Sequence, residues 1–360
     1  MTRPKIYIDG VLKTWGDRLY PEPVQMKRTK KGLTLDRIVP RTKPAQKTTS
    51  GATRTRKTLA MTTKKVPEVM VKITGGGKGM KVIRAHLDYI SRNGKEPLET
   101  ELGEIVEGRD AIKELREDWE YGAFGVIPEE SNQRQAFNII LSMPAGTDRV
   151  AVHNAAREFA REQFGDRKYV FASHHDEPHP HVHICVAARG FDGTRLNPRK
   201  AVLQAWRESF AEHLREHGIE ANATRRQARG ITKTPVPQPV VNMKKKRKQH
   251  PKYYRDPASR PNPGNPYADK QAVTQRTVIE GYRQMAAALV ESEDAEDWKQ
   301  ALKIVELVKS IPAFQAMFQQ PQTQQMAQEQ PPRAQKRTRV PERSSVPPKN
   351  QKRDDRDMDQ

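Results

Sequence analysis

The stretch from 168 to 188 constrains the fold more than any other part of the chain. KYVFASH (168–174) and HVHICVAA (181–188) are short, apolar and β-rich, and DEPHP (176–180) between them supplies an Asp and two Pro. Apolar runs joined by turn chemistry predict a β-hairpin, and with it a sheet that contains antiparallel pairing. Alternate residues of a strand share a face. His181 and His183 therefore point the same way, with Cys185 next in line, and closing the hairpin brings His174 beside them. Five of the ten His in the chain lie between 174 and 183, so the turn concentrates imidazole at one place. His175 and His179 have the wrong parity or fall in the turn.

Three neutral imidazoles converging on one point, with positions left open, are a donor set for a divalent ion. An ion held there can polarise a phosphoryl or carbonyl oxygen. Asp176, two residues after His174, is placed to orient a ligand ring through its second nitrogen. The competing reading is a set of surface histidines in a polar turn. A lone His-x-His would not outweigh it; His-x-Asp followed across a turn by His-x-His does. Cys185 is the one cysteine, which excludes an intramolecular disulfide and a cysteine-based zinc module. In an apolar strand such a thiol behaves as a small buried hydrophobe.

Around the hairpin the periodicities are those of an α+β domain. FNIILSM (137–143) reads as a third strand. Val152, Ala155, Ala156, Phe159, Ala160 and Phe164 have helical spacing, with Gly165 as a stop. Leu203, Trp206, Phe210 and Leu214 mark another helix, ending near Gly218. Upstream, Ile83, Leu87 and Ile90 form the stripe of a helix over 80–91, which carries Tyr89 three residues after His86. The GGGKG at 75–79 lacks the spacing of a nucleotide-binding loop and reads as a turn before that helix. Helices are also expected over 273–290 and 296–310, a hairpin too small to be stable alone.

Charge divides the chain. It carries a net +21, yet residues 67–230 are close to neutral. Residues 1–66 hold 17 Lys and Arg against 4 Asp and Glu, and residues 231–270 hold 10 against 2. Such basic arms draw phosphates without regard to sequence, by releasing counterions. The organisation expected is a basic, mostly disordered arm over 1–66 and one folded domain over 67–230. A basic Pro-rich linker (231–270), a small helical region (271–320) and a disordered Gln/Pro/charged tail (321–360) follow. No apolar run reaches the length of a membrane span, and the N-terminus lacks the apolar stretch of a secretion signal. The expectation is a cytoplasmic protein without membrane insertion and with an anionic partner.

At the histidines the chain resembles a known family. HHDEPHPHVHICV looks like the third motif of conjugative relaxases, the mobilisation nucleases of the HUH endonuclease superfamily, in the branch with plasmid relaxases and border endonucleases. AHLDYISRNG (85–94) resembles the first motif, which carries the nucleophilic tyrosine, here Tyr89. NIILSMPAGT (138–147) resembles the second, with Ser142 where the family contacts DNA beside the nick. RGFDGTRLNPRK (189–200) and the segment over 206–230 are also similar to relaxase sequence. The resemblance covers roughly 68–230, with the motifs in family order.

What the resemblance implies is a five-stranded antiparallel sheet flanked by helices, with the His cluster on central strands. It implies His174, His181 and His183 as ligands of a divalent ion, magnesium or manganese, with His175 the alternative first ligand. Asp176 is implied as the acid that helps Tyr89 lose its proton. The implied activity is nicking and rejoining of single-stranded DNA at a transfer origin through a 5′-phosphotyrosine. A phenol is a weak nucleophile at neutral pH and needs a base or cation beside it, so Tyr89 without the motif reads as an ordinary helix tyrosine. Arg195, Arg199, Lys200, Arg225, Arg226 and Arg229 are the expected phosphate contacts, with TRRQARG (224–230) foremost. The expected partners are single-stranded DNA, a relaxosome accessory protein and a type IV coupling protein. Two other readings stay open: a rolling-circle initiator, in which the tyrosine usually follows the histidines, and a non-catalytic DNA-binding accessory protein.

Overall fold

The computed structural model describes residues 2–21, 27–29, 32–34, 51–122, 125–231, 243 and 268–318. In chain order the elements are α1 (Lys5–Leu19), β1 (Lys27–Thr29), β2 (Gly32–Thr34), α2 (Gly51–Thr63), β3 (Met70–Gly75), α3 (Met80–Ile90), β4 (Leu98–Thr100) and β5 (Ile105–Val106). There follow α4 (Arg109–Tyr121), β6 (Ala136–Ser142), α5 (Arg149–Phe164), β7 (Tyr169–His174), β8 (His181–Ala187) and α6 (Lys200–Glu216). The last three are α7 (Ala268–Val290), α8 (Ala295–Lys309) and α9 (Pro312–Phe318).

β3 to β8 form one sheet in the order β3-β6-β8-β7-β4-β5, with every neighbouring pair antiparallel. The sheet thus has six strands, where five were expected. Two of them, β4 and β5, have three and two residues and close over a turn at Gly103, whose φ is +83°. Elements that short show no alternation in a sequence. β7 and β8 are the anticipated hairpin, in the register His174↔His181 and Ala172↔His183.

The two faces of the sheet have separate cores. Val182, Ile184 and Val186 of β8 join Phe137, Ile139 and Leu141 of β6 under α5 and α6, where Phe159, Phe164, Trp206 and Phe210 meet edge to face. The opposite side chains of the same strands, Ala136, Val170, Ala172 and Cys185, pack beneath α3 and α4. The period of two in β8 therefore puts three large apolar side chains on one face and His181, His183 and Cys185 on the other. Burial pushes the Cys185 thiol up, as expected of a packed hydrophobe.

The Gly-rich turn sets α3 in place. A Cβ at Gly79 would lie 2.2 Å from the carbonyl oxygen of Glu129, and one at Gly76 would lie 2.4 Å from that of Ala136. Only glycine permits this close approach, and the Met80 N–H then bonds to the Pro128 carbonyl at 3.0 Å.

A third core lies outside the sheet. Ile8, Leu12 and Leu19 of α1 and Leu59 of α2 pack with Tyr282, Met285 and Leu289 of α7 and with Ile304 and Leu307 of α8. This corrects the expected disorder of the N-terminal arm over two of its segments. α2 is inconspicuous because it has few apolar residues, whereas the apolar stripe of α1 is masked only by the basic charge of the arm around it. In α2 the Thr55, Thr62 and Thr63 hydroxyls bond back to carbonyls four residues earlier, at 2.7–2.9 Å, which satisfies a Thr-rich helix internally. Gly16 admits Thr55 at the crossing, where a Cβ would meet its Oγ1 at 1.8 Å. Arg56 grips Asp297 with two 3.0 Å bonds across 241 positions of sequence. The small hairpin expected near the C-terminus is completed by helices from the other end of the chain. Nearly all of the 231–270 linker and all of the 321–360 tail lie outside the described residues.

Candidate active site

The β7–β8 register places His174, His181 and His183 together at the end of the hairpin. Their ring centroids are 4.5 Å (174–183), 5.2 Å (181–183) and 5.4 Å (174–181) apart. One nitrogen from each ring lies within 4.8 Å of the others. Backbone carbonyls can only accept, so they fix the tautomers. His174 Nε2–H donates to the Ile90 carbonyl at 2.8 Å, so Nδ1 carries the lone pair, which accepts from the Arg92 guanidinium at 3.3 Å when no ion is bound. His181 Nδ1–H donates to the His179 carbonyl at 3.0 Å, which leaves Nε2. Metal-binding histidines are held in the same way, through the nitrogen that does not bind.

The environment favours the neutral form of two of the rings, His183 and His174. Burial, then the charges of His174, His181, His86 and Arg92, pushes His183 down to about 3. Burial also lowers His174, against the opposing pull of the Ile90 carbonyl. Neutral imidazole is the metal-binding form. His175 is exposed in the turn, whereas His174 is buried in the cluster.

Tyr89 approaches from α3. It is 52% exposed, although its neighbours Leu87 and Ile90 are fully buried. Its ring stands edge-on to His183 at 5.6 Å and to His174 at 6.1 Å, and stacks with His86 at 6.2 Å. Burial and the charge of His174 push His86 down to about 4, and its Nε2 is enclosed without a hydrogen-bond partner.

Arg92 was not anticipated. α3 ends in three consecutive left-handed residues, Arg92 (φ 51°), Asn93 (φ 58°) and Gly94 (φ 84°). That conformation costs a non-glycine residue about 1–3 kcal/mol. It turns the Arg92 guanidinium back over the Tyr89 ring, 5.2 Å from its centroid and 3.3 Å from His174 Nδ1, where it also pairs with Asp176. Asp176 is accordingly engaged by a guanidinium. Desolvation raises its carboxyl, but the charge of Arg92, a backbone hydrogen bond and the charges of His174 and His181 together hold it below the usual range. The Asn-Gly after the helix was the available signal for this turn.

The expected DNA contacts are spread more widely. Ser142 is buried and pairs in register with His181, in the same cross-strand row as the cluster. Lys72, also unanticipated, is exposed on edge strand β3 in the row of Ile140 and His183. Arg195 bonds to the Arg134 carbonyl, at the end of the strands away from the histidines. Arg199 and Lys200 are exposed at the first turn of α6, where basic side chains oppose the helix dipole and so do not serve helix stability. Arg225 and Arg226 are exposed near the start of β3, through the Glu68–Asn222 bridge. Arg229 ion-pairs with Glu68 at 3.3 Å, a structural tie.

An antiparallel sheet that presents three imidazoles from adjacent inner strands beneath an exposed helix tyrosine has the architecture of a relaxase nuclease domain. Residues 92–219 match the family model for the MobA/VirD2-like relaxase nuclease domain. The match begins three residues after Tyr89 and includes the whole histidine cluster. Three curated proteins named T-DNA border endonuclease VirD2 are similar over 188 residues. That of Rhizobium radiobacter is 34% identical, that of Agrobacterium fabrum 36% and that of Rhizobium rhizogenes 35%. The alignments cover 47% of this chain and 44%, 42% and 43% of those proteins, so the shared region is less than half of either partner. Among the described residues no helix is long and apolar enough to cross a membrane.

Proposed function

We propose that residues 67–230 nick one strand of DNA at a plasmid transfer origin and later rejoin it, with Tyr89 as nucleophile. The observation that carries this reading is an accessible Tyr89 laid over a buried histidine cluster. In the reaction the Tyr89 oxygen attacks the scissile phosphorus and its proton leaves to solvent or a base. The P–O3′ bond breaks, giving a 5′-phosphotyrosine and a free 3′-hydroxyl. One phosphodiester replaces another, so the step is close to balanced and can reverse.

The residues divide the work. His174, His181 and His183 would hold a divalent ion, magnesium or manganese. When bound, that ion supplies charge stabilisation for a non-bridging phosphate oxygen. Arg92 offers positive charge to a phenolate forming below it and to the phosphate it attacks. Asp176 positions Arg92 through their ion pair. Ser142 and Lys72 line the same sheet face for the strand, and Arg225 and Arg226 extend the basic path from the start of β3. Arg195, Arg199 and Lys200 would bind DNA at the other end of the strands. An accessory protein and a type IV coupling protein remain the partners implied by conjugative transfer.

The test is a covalent-adduct assay with labelled single-stranded oligonucleotides tiled across the region beside the gene, with manganese or EDTA. A denaturant-resistant band that requires metal and disappears in Tyr89→Phe is the expected result. Cleavage without an adduct would assign a hydrolytic nuclease. Salt-sensitive binding without cleavage would favour the accessory binder.

A further inference from the structure

On the face of the sheet opposite the histidine cluster, α5 and α6 carry a second group of imidazoles and carboxylates. Glu158 and Glu162 are one turn apart on α5. His213, Glu216 and His217 present the same spacing from α6 and its C-cap. His213 Nδ1 lies 3.0 Å from Glu216 Oε2 and 3.3 Å from Glu158 Oε2. His217 Nε2 lies 3.4 Å from Glu158 Oε1, is enclosed, and makes no hydrogen bond among the described residues. One donor atom from each of Glu158, His213 and Glu216 lies within 4.8 Å of the others. On its far side His213 Nε2 meets Glu162 Oε2 at 2.8 Å, and the Ser209 hydroxyl donates to that same oxygen at 2.7 Å.

The geometry points to a second metal site, for a zinc-class divalent ion held by His213, His217, Glu158 and Glu216. One imidazole nitrogen and two carboxylate oxygens are gathered already; the His217 Nε2, against the other oxygen of Glu158, lies outside that group and would move in to complete a four-coordinate set suited to zinc. Three carboxylates meet here on two helices, and a divalent ion compensates more of their charge than a proton on His213 does. Glu162 fixes the ring by accepting from Nε2–H, while Nδ1–H donates to Glu216 when no ion is bound, so an ion at Nδ1 takes the place of that proton. A carboxylate behind the histidine, itself hydrogen-bonded, is the support that metal ligands need. The His217 Nε2 gains in the ion a partner that it otherwise lacks. The site would staple α5 to α6 behind the sheet.

The test uses the full chain, stripped with chelator and dialysed against zinc. Metal content should reach one equivalent more in the wild type than in Glu216→Gln/His217→Asn. Glu162→Gln should weaken uptake at this site about 10–100-fold. In a His174→Ala/His181→Ala/His183→Ala background, zinc should still raise the melting temperature, and adding the Glu216→Gln/His217→Asn pair should abolish that rise. This background separates the second site from the proposed nuclease centre. Equal zinc content in wild type and pair variant, with both folded by circular dichroism, would overturn the proposal. So would uptake that does not saturate at the extra equivalent.

Discussion

The Arg92 guanidinium stands 5.2 Å from the centroid of the Tyr89 ring, held there by a left-handed backbone and by Asp176. Tyr89 is placed by α3, but Arg92 does not reach this arrangement through helix geometry, because it lies past the end of that helix. Strain kept beside a reactive side chain suggests positioning for chemistry. Arg92→Gly is therefore expected to leave thermal stability level or higher, since glycine adopts this φ freely. Adduct formation should fall about 10²–10³-fold, the usual loss on removing a group that stabilises developing charge. The melting temperature and the single-turnover rate, measured on the same preparation, check both halves.

In the proposed mechanism Asp176 acts on Tyr89 through Arg92, with which it pairs. Asp176→Asn should lower the nicking rate less than Arg92→Gly does. The double variant should be no slower than Arg92→Gly alone, because both changes remove one arrangement. Additive losses in that cycle would give Asp176 an independent role as a base.

The metal-free protein should lose stability in mild acid. His86 is held at about 4 in the fold, chiefly by burial, against about 6.5 in an unfolded chain. Between those values the unfolded state binds the extra proton, so stability is complete above pH 6.5 and declines as pH falls toward 4. Urea unfolding of the chelator-treated protein across that range should show the slope, and His86→Gln should reduce it, leaving the part that the lowered His183 and His174 contribute. Manganese should oppose the decline by binding the folded state alone.

Leu12 is fully buried between the N-terminal and C-terminal helices. Leu12→Ala should cost about 2–5 kcal/mol in the stability of that bundle. Limited proteolysis is the sensitive readout. Cleavage should appear within α7 and α8, far away in sequence, while the sheet stays protected.

DNA affinity should fall with salt, and Arg225→Ala/Arg226→Ala should reduce the slope of log K against log salt by about 2 if each meets one phosphate. Arg229→Ala should act differently. It breaks the tie to Glu68 and should register as lost stability more than as a changed salt slope.

The hairpin, the histidine cluster and the helix carrying Tyr89 were legible because each has a strong period or a dense local motif. Parity alone put His181 and His183 on one face and His175 elsewhere. Arg92 was missed because its role depends on a backbone turn, marked only by Asn93 and Gly94. β4 and β5 were too short to alternate. α1 and α2 read as disordered because a Thr- and Lys-rich helix resembles a flexible arm until its partner is known, and Tyr282 and Ile304 lie more than two hundred residues away. Arg229 looked like its basic neighbours, since nothing nearby in sequence announces Glu68.

The shared packing of α1 and α2 with α7 and α8 also imposes an order of events during synthesis. At about 5–20 residues per second, the first helix leaves the ribosome tens of seconds before its partners exist. The sheet can close first, while Ile8, Leu12 and Leu59 wait uncovered. Closing the bundle is then a late step: only a chain translated past α8 covers the apolar faces of α1 and α2.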